Sequence, residues 1–159
     1  MTLNKDIREF IELCLSREVE FLLVGGYALA FHGAPRFTED IDFMILVSPE
    51  NATKLASVLE TFGFAGSGIT KKDFLDPDQV IQLGRAPNRI DLLTGISGVS
   101  WEVAWASKVP VTLDGIGLHA IGQDELIRNK LATGRPQDLA DVARLRQVRE
   151  TEQHGANFQ

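Results

Sequence analysis

FLLVGGYALAFHGAPRFTEDIDF, Phe21 to Phe43, joins two apolar runs through a Gly25-Gly26 pair and a short helical segment. The second run opens on Asp40-Ile41-Asp42. Successive side chains of a strand point to opposite faces, so Asp40 and Asp42 share one face, two residues' rise apart. Carboxylates that close repel unless a cation sits between them, and a hard divalent ion such as Mg²⁺ is the usual occupant. Gly25-Gly26 lets the backbone approach a ligand, and the N–H groups of the following helix suit a phosphate. A phosphate cradle beside a metal-binding carboxylate pair suggests chemistry on a nucleotide.

Outward from this stretch, residues 5 to 16 read as an amphipathic helix capped by Asn4, and Phe21 to Gly25 as a buried strand. Gly26 to His32 reads as a helix and Asp40 to Val47 as an interior strand. Ser48-Pro49-Glu50 opens a helix closed by Gly63, and Gly66 to Asp78 is loop-like. Val80 to Leu83 and Arg89 to Leu93 form a hairpin around Ala86-Pro87-Asn88, and Asp114-Gly115 turns a second hairpin. Ser100 to Ala106, Gln123 to Thr133 and Pro136 to Glu150 are helical. Hairpins within a helix-flanked sheet predict an α+β domain with a mixed sheet and C-terminal helices. Residues 1–150 form one domain and 151–159 a flexible polar tail.

The composition narrows the function. With 159 residues and 44% hydrophobic content, the chain can bury a core of its own. A net charge of −6 and a pI near 5.0 argue against a general nucleic-acid coat protein. The single cysteine, Cys14, excludes an internal disulfide and a cysteine-based metal cluster. No signal peptide and no membrane span are read, so a cytoplasmic location is expected.

Val24-Gly25-Gly26, a spacer of thirteen residues, and Asp40-Ile41-Asp42-Phe43 resemble the signature of the DNA polymerase β-like nucleotidyltransferase superfamily. The likeness extends over roughly Phe21 to Leu145. The run Lys130-Leu-Ala-Thr-Gly-Arg135-Pro-Gln-Asp138-Leu-Ala-Asp141 resembles the small bacterial members, including the toxins of abortive-infection and toxin–antitoxin systems. The resemblance implies transfer of an NMP from an NTP to an acceptor hydroxyl, with Mg²⁺ (or Mn²⁺) held by Asp40, Asp42 and a third carboxylate, for which Asp91 is suitably placed. Gly25, Gly26, Arg36, Thr38 and Lys130 would serve the nucleotide. The acceptor could be an RNA, a protein side chain or a small molecule, and a partner protein or a second copy could complete the site. The alternative is a catalytically silent module that binds nucleotide or a partner.

Each assignment has a plainer counterpart. Asp-x-Asp is often a solvated strand end, and Gly-Gly often only a turn. Thr38 could stabilise the turn rather than a phosphate, and Arg36 could be a surface residue. Asp138 and Asp141 would face solvent if Leu139, Val142, Ala143 and the Arg146 stem form the apolar stripe of the last helix. Trp101 and Trp105 would make one buried face of a short helix. Other patterns fail: Gly115-Ile-Gly117 lies in a hairpin with no helix behind it, no P-loop occurs, and the three histidines are scattered.

Overall fold

A computed structural model describes residues 2–63, 67–85 and 87–157. Six strands form one mixed sheet in the order β3-β4-β2-β1-β6-β5. They are β1 (Phe21–Val24), β2 (Asp40–Ile45), β3 (Val80–Leu83), β4 (Arg89–Leu93), β5 (Val109–Leu113) and β6 (Ile116–Ala120). The helices are α1 (Lys5–Ser16), α2 (Gly25–Phe31), α3 (Pro49–Phe62), α4 (Trp101–Ala106), α5 (Gln123–Thr133) and α6 (Pro136–Asn157). β2 runs antiparallel to β1 but parallel to β4, whereas β3–β4 and β5–β6 are the two hairpins. The α+β class with C-terminal helices is therefore as expected.

Local chemistry sets most boundaries. The Asn4 side chain accepts from the Asp6 N–H at 2.8 Å to start α1, whose Ile7, Phe10, Ile11 and Cys14 are buried at helical spacing. Burial raises the Cys14 thiol pKa far above its ordinary value, so the thiol is inert. Ser48 caps α3 at the Asn51 N–H, and Gly63 ends it at φ +98°. Phe10 of α1 packs on Phe43 of β2 and on Phe62 of α3, with centroids 6.2 and 5.8 Å apart. Helices α1 and α3 thus cover the sheet face that carries Ile41 and Phe43. Alternation leaves Asp40 and Asp42 on the opposite face.

Several boundaries differ from the sequence reading. β2 stops at Ile45 rather than Val47, because its partner β1 begins at Phe21, opposite Ile45. The loop before β3 contains a 3₁₀ turn, Lys71–Phe74, pinned by the fully buried Phe74, while Gly66 lies outside the described residues. Ala86, in the first hairpin's connection, also lies outside them. Trp101 and Trp105 stack at 5.2 Å but are half-buried, with Ala104 the buried residue of α4. Helix α6 continues past Glu150 to Asn157, since its backbone bonds close locally and need no packed partner. No helix among the described residues is long and apolar enough to cross a membrane.

Candidate active site

One wall of the site is built by three strands. The register sets Asp42 beside Val24 of β1 and beside Asp91 of β4, and sets Asp40 beside Arg89. Because β2 and β4 are parallel, matched residues face the same way, so Asp40, Asp42 and Asp91 gather on one surface. The chain leaving β1 must pass over Asp42, and a Cβ at Gly25 would overlap that carboxylate. Gly25 also has φ +68°, so glycine is required on both counts. A Cβ at Gly26 would come within 2.9 Å of Thr38.

Charge on this wall is poorly balanced. Arg89 donates from its Nε to Asp91 Oδ1 at 2.8 Å and from its Nη2 to Asp40 Oδ2 at 2.7 Å. Three carboxylates thus face one guanidinium, which bonds only Asp40 and Asp91. Asp40 Oδ1 is buried without a hydrogen-bond partner. Burial, together with the Asp91 and Asp40 charges, pushes the Asp42 pKa up to about 7. Burial first and then the Asp91 charge also raise Asp40, with Arg89 opposing. Among the described residues, no group of three or more His, Cys, Asp or Glu side chains is drawn together as a ready metal cage.

The facing wall comes from α5 and α6. Gly134, at φ +67°, ends α5 and lets α6 fold back along it. Lys130 Nζ then lies 2.8 Å from Asp141 Oδ2 and 3.3 Å from Asp138 Oδ1, with all three residues buried. Asp138 also accepts from Thr133 at 2.6 Å and from Arg135 at 2.8 Å. Asp141 accepts from the Arg36 Nε at 3.1 Å. Burial alone would raise the Asp138 pKa, but the Thr133 and Arg135 hydrogen bonds and the Lys130 charge outweigh it and hold the carboxyl below its ordinary range. Here three cations face two carboxylates.

Between the walls lies a cleft of about 510 Å³ that admits Gly25, Gly26, Arg36, Thr38, Asp40, Asp42, Asp91 and Lys130. Every residue that the resemblance assigns to the metal or the nucleotide therefore reaches one space. A cavity of similar size, about 500 Å³, opens beside Trp105 and His119, away from all of these residues. Thr38 donates to the Asp40 carbonyl at 3.1 Å and accepts from the Asp40 N–H, so it holds the turn while also lining the cleft. Asp138 and Asp141 do not face solvent. The inward side of α6 is Asp138, Asp141, Val142 and Leu145, whereas Leu139 is 44% exposed and Ala143 and Arg146 are exposed. Both acids face inward onto the buried Lys130. Arg89 escaped the sequence reading, although it stands two residues before Asp91 on the same strand face.

A family model described as "Nucleotidyl transferase AbiEii toxin, Type IV TA system" matches residues 15–128. No functionally curated protein matches the chain. Among solved structures, the solution structure of the antibiotic-resistance factor ANT(2'')-Ia is similar at 12% identity and a TM-score of 0.54, over 96% of this chain and 91% of that one. A crystal structure of ANT(2'')-Ia with adenylyl-2''-tobramycin is similar at 14% identity and a TM-score of 0.51, over 87% and 84%. An antigenic nucleotidyltransferase-like protein from Paracoccidioides brasiliensis is similar at 13% identity and a TM-score of 0.52, over 90% and 77%. These likenesses show a shared fold. The family match covers most of the chain, which belongs to the AbiEii nucleotidyltransferase toxin family and is a nucleotidyltransferase.

Proposed function

We propose that this AbiEii-family nucleotidyltransferase moves an NMP from an NTP to an acceptor hydroxyl, the new bond to the α-phosphorus replacing the bond to the departing pyrophosphate, in an Mg²⁺-dependent reaction within the cleft between the sheet and α5–α6. One observation carries the reading: the β2–β4 register sets Asp42 beside Asp91 on a wall with surplus negative charge, facing a wall with surplus positive charge. A triphosphate with its divalent ion matches that polarity, the ion towards the aspartates and the phosphates towards Lys130 and Arg36.

The donor chemistry fits such an ion. Asp40, Asp42 and Asp91 offer only hard oxygen ligands, and Asp40 Oδ1 is buried and lacks any other partner. When bound, the ion neutralises charge on the phosphates and favours the deprotonated acceptor hydroxyl. The chain's own residues do the rest. Asp91, set beside Asp42 on the same face of the sheet, takes the hydroxyl proton. Gly25 and Gly26 leave room for phosphate where side chains would collide with Asp42 and Thr38. Thr38 holds the turn that opens β2, and Asp138 with Asp141 fixes Lys130 for the phosphates.

The candidate acceptors are an RNA, a protein side chain or a small molecule, and in a type IV toxin–antitoxin setting an antitoxin protein is the expected partner. A second reading, a silent nucleotide- or partner-binding module, draws on Arg89, which already neutralises part of the acidic wall. A transfer assay separates the two. Labelled ATP, CTP, GTP and UTP are supplied with Mg²⁺ and tRNA, cell lysate or an aminoglycoside. Label reaching an acceptor with the wild type but not with the Asp40→Asn, Asp42→Asn double variant supports catalysis. Mg²⁺-dependent NTP binding without transfer to any acceptor supports the silent module.

A further inference from the structure

The geometry points to Arg89 as a built-in counter-cation that occupies the carboxylate site until a divalent metal displaces it, so that it sets metal affinity as a positioning residue. This rests on the assignment of Asp40, Asp42 and Asp91 as the metal-holding set. Arg89 is not a peripheral ion pair. It reaches two of the three carboxylates at once, from opposite Asp40 in the register, with bonds of 2.7 to 3.1 Å. A guanidinium presents its donors in a fixed fork, and this one spans Asp40 and Asp91, two of the three carboxylates that would hold the ion.

The substitution is incomplete, which separates a stand-in from a structural bridge. A structural pair satisfies the atoms it buries. Here Asp40 Oδ1 is left buried with no partner, and Asp42 receives no hydrogen bond from Arg89. The planar fork cannot surround three carboxylates as an ion with six or more ligand positions can. The Arg89 side chain is 28% exposed, so the head group has solvent to withdraw into when the carboxylates are claimed. Arg89 also explains why the three acids do not stand together as a metal cage: two of them are turned towards the guanidinium.

The test is Mn²⁺ binding to the whole protein, measured by calorimetry on the wild type, Arg89→Met and Arg89→Lys, with melting followed in EDTA and in saturating Mn²⁺. Removing the competitor in Arg89→Met should tighten Mn²⁺ binding on the order of tenfold, the size of one charge-assisted hydrogen bond that no longer competes. The same variant should melt lower than wild type in EDTA, with the gap closing in Mn²⁺. Arg89→Lys keeps the charge but loses the fork, so its affinity should fall between the two. Unchanged or weaker Mn²⁺ binding in both variants, with wild type binding well, overturns the exchange and leaves the metal assignment standing. If none of the three proteins binds Mn²⁺, the exchange and the metal assignment fall together.

Discussion

The two walls of the cleft carry the same kinds of side chain and settle their charges in opposite ways. On the helical wall, Lys130 is buried against two aspartates, and each aspartate has a second basic partner, Arg135 or Arg36. On the sheet wall, three aspartates face Arg89, one oxygen is orphaned, and Asp42 holds its proton to about pH 7. The first wall is satisfied and the second frustrated. Natural sequences tolerate such local conflict mainly where function requires it. Under the proposed function, the contrast is that of a sheet wall built for ligand chemistry and a helical wall built to hold Lys130 still.

Asp42→Asn probes the contrast most sharply. If Asp42 holds the proposed ion, its loss removes several kcal/mol of transition-state stabilisation, so transfer should fall on the order of 10³-fold or more. The metal-free protein should nevertheless melt higher at pH 8, because a carboxylate crowded by two others is gone. Activity lost with stability gained, read from a transfer assay and calorimetric melting, is the signature of a frustrated wall. A lower melting temperature would place Asp42 among the structural residues.

On the helical wall the same kind of change should have the reverse sign. Lys130→Met leaves Asp138 and Asp141 buried and short of one cation, which costs about 3–5 kcal/mol. At about 2–4 °C per kcal/mol for a domain of this size, the melting temperature should drop by roughly 10 °C. An unchanged melting temperature would mean that Arg36, Arg135 and Thr133 suffice for both acids.

Why was one wall legible in the sequence and the other only half so? The sheet wall follows from local rules: the Asp-x-Asp alternation gives the face, and Gly25-Gly26 gives the close approach. Asp91 needed the β2–β4 register, which no local pattern fixes, and its choice relied on a resemblance. Arg89 stands two residues before Asp91, and the period of two puts it on the same face, but an arginine in a strand carries no local signal of a carboxylate partner on the next strand. On α6 the plainer reading, with Asp138 and Asp141 facing solvent, fails, and of its apolar stripe only Val142 is buried. The spacing of Leu139, Val142 and Ala143 looked like a core stripe, but Asp138 and Asp141 face inward onto a buried Lys130 on α5 instead. A tertiary ion pair outweighed the helix's own hydrophobic pattern, and sequence periodicity does not report such a pair.

The walls should also separate in pH. Asp42 has a raised folded-state pKa, so between its ordinary value and about 7 the folded protein binds more protons than the unfolded chain. Its contribution is therefore present at low pH and lost as pH rises, by about 4 kcal/mol at most. Asp138 is depressed, so its contribution is present above the ordinary carboxylate range and lost as pH falls through its lowered value. Melting followed from pH 3 to pH 8 should show the loss above pH 4 shrink in Asp42→Asn, leaving the smaller part owed to Asp40, and the loss below pH 4 shrink in Asp138→Asn. Profiles that both variants leave unaltered would mean that neither wall sets the pH dependence of folding.

The smallest expected effect isolates burial from charge. Arg135 and Lys130 both pair with Asp138, at 2.8 and 3.3 Å, so distance alone would favour Arg135 as the stronger partner. The Arg135 side chain, however, is 75% exposed, whereas that of Lys130 is 5% exposed. Water already screens the arginine, and an exposed pair contributes about 0–1 kcal/mol. In Arg135→Ala, Asp138 keeps Thr133 and Lys130, so melting should shift by no more than about 4 °C. A shift as large as that of Lys130→Met would mean that the helical wall depends on its count of cations rather than on the one cation it encloses.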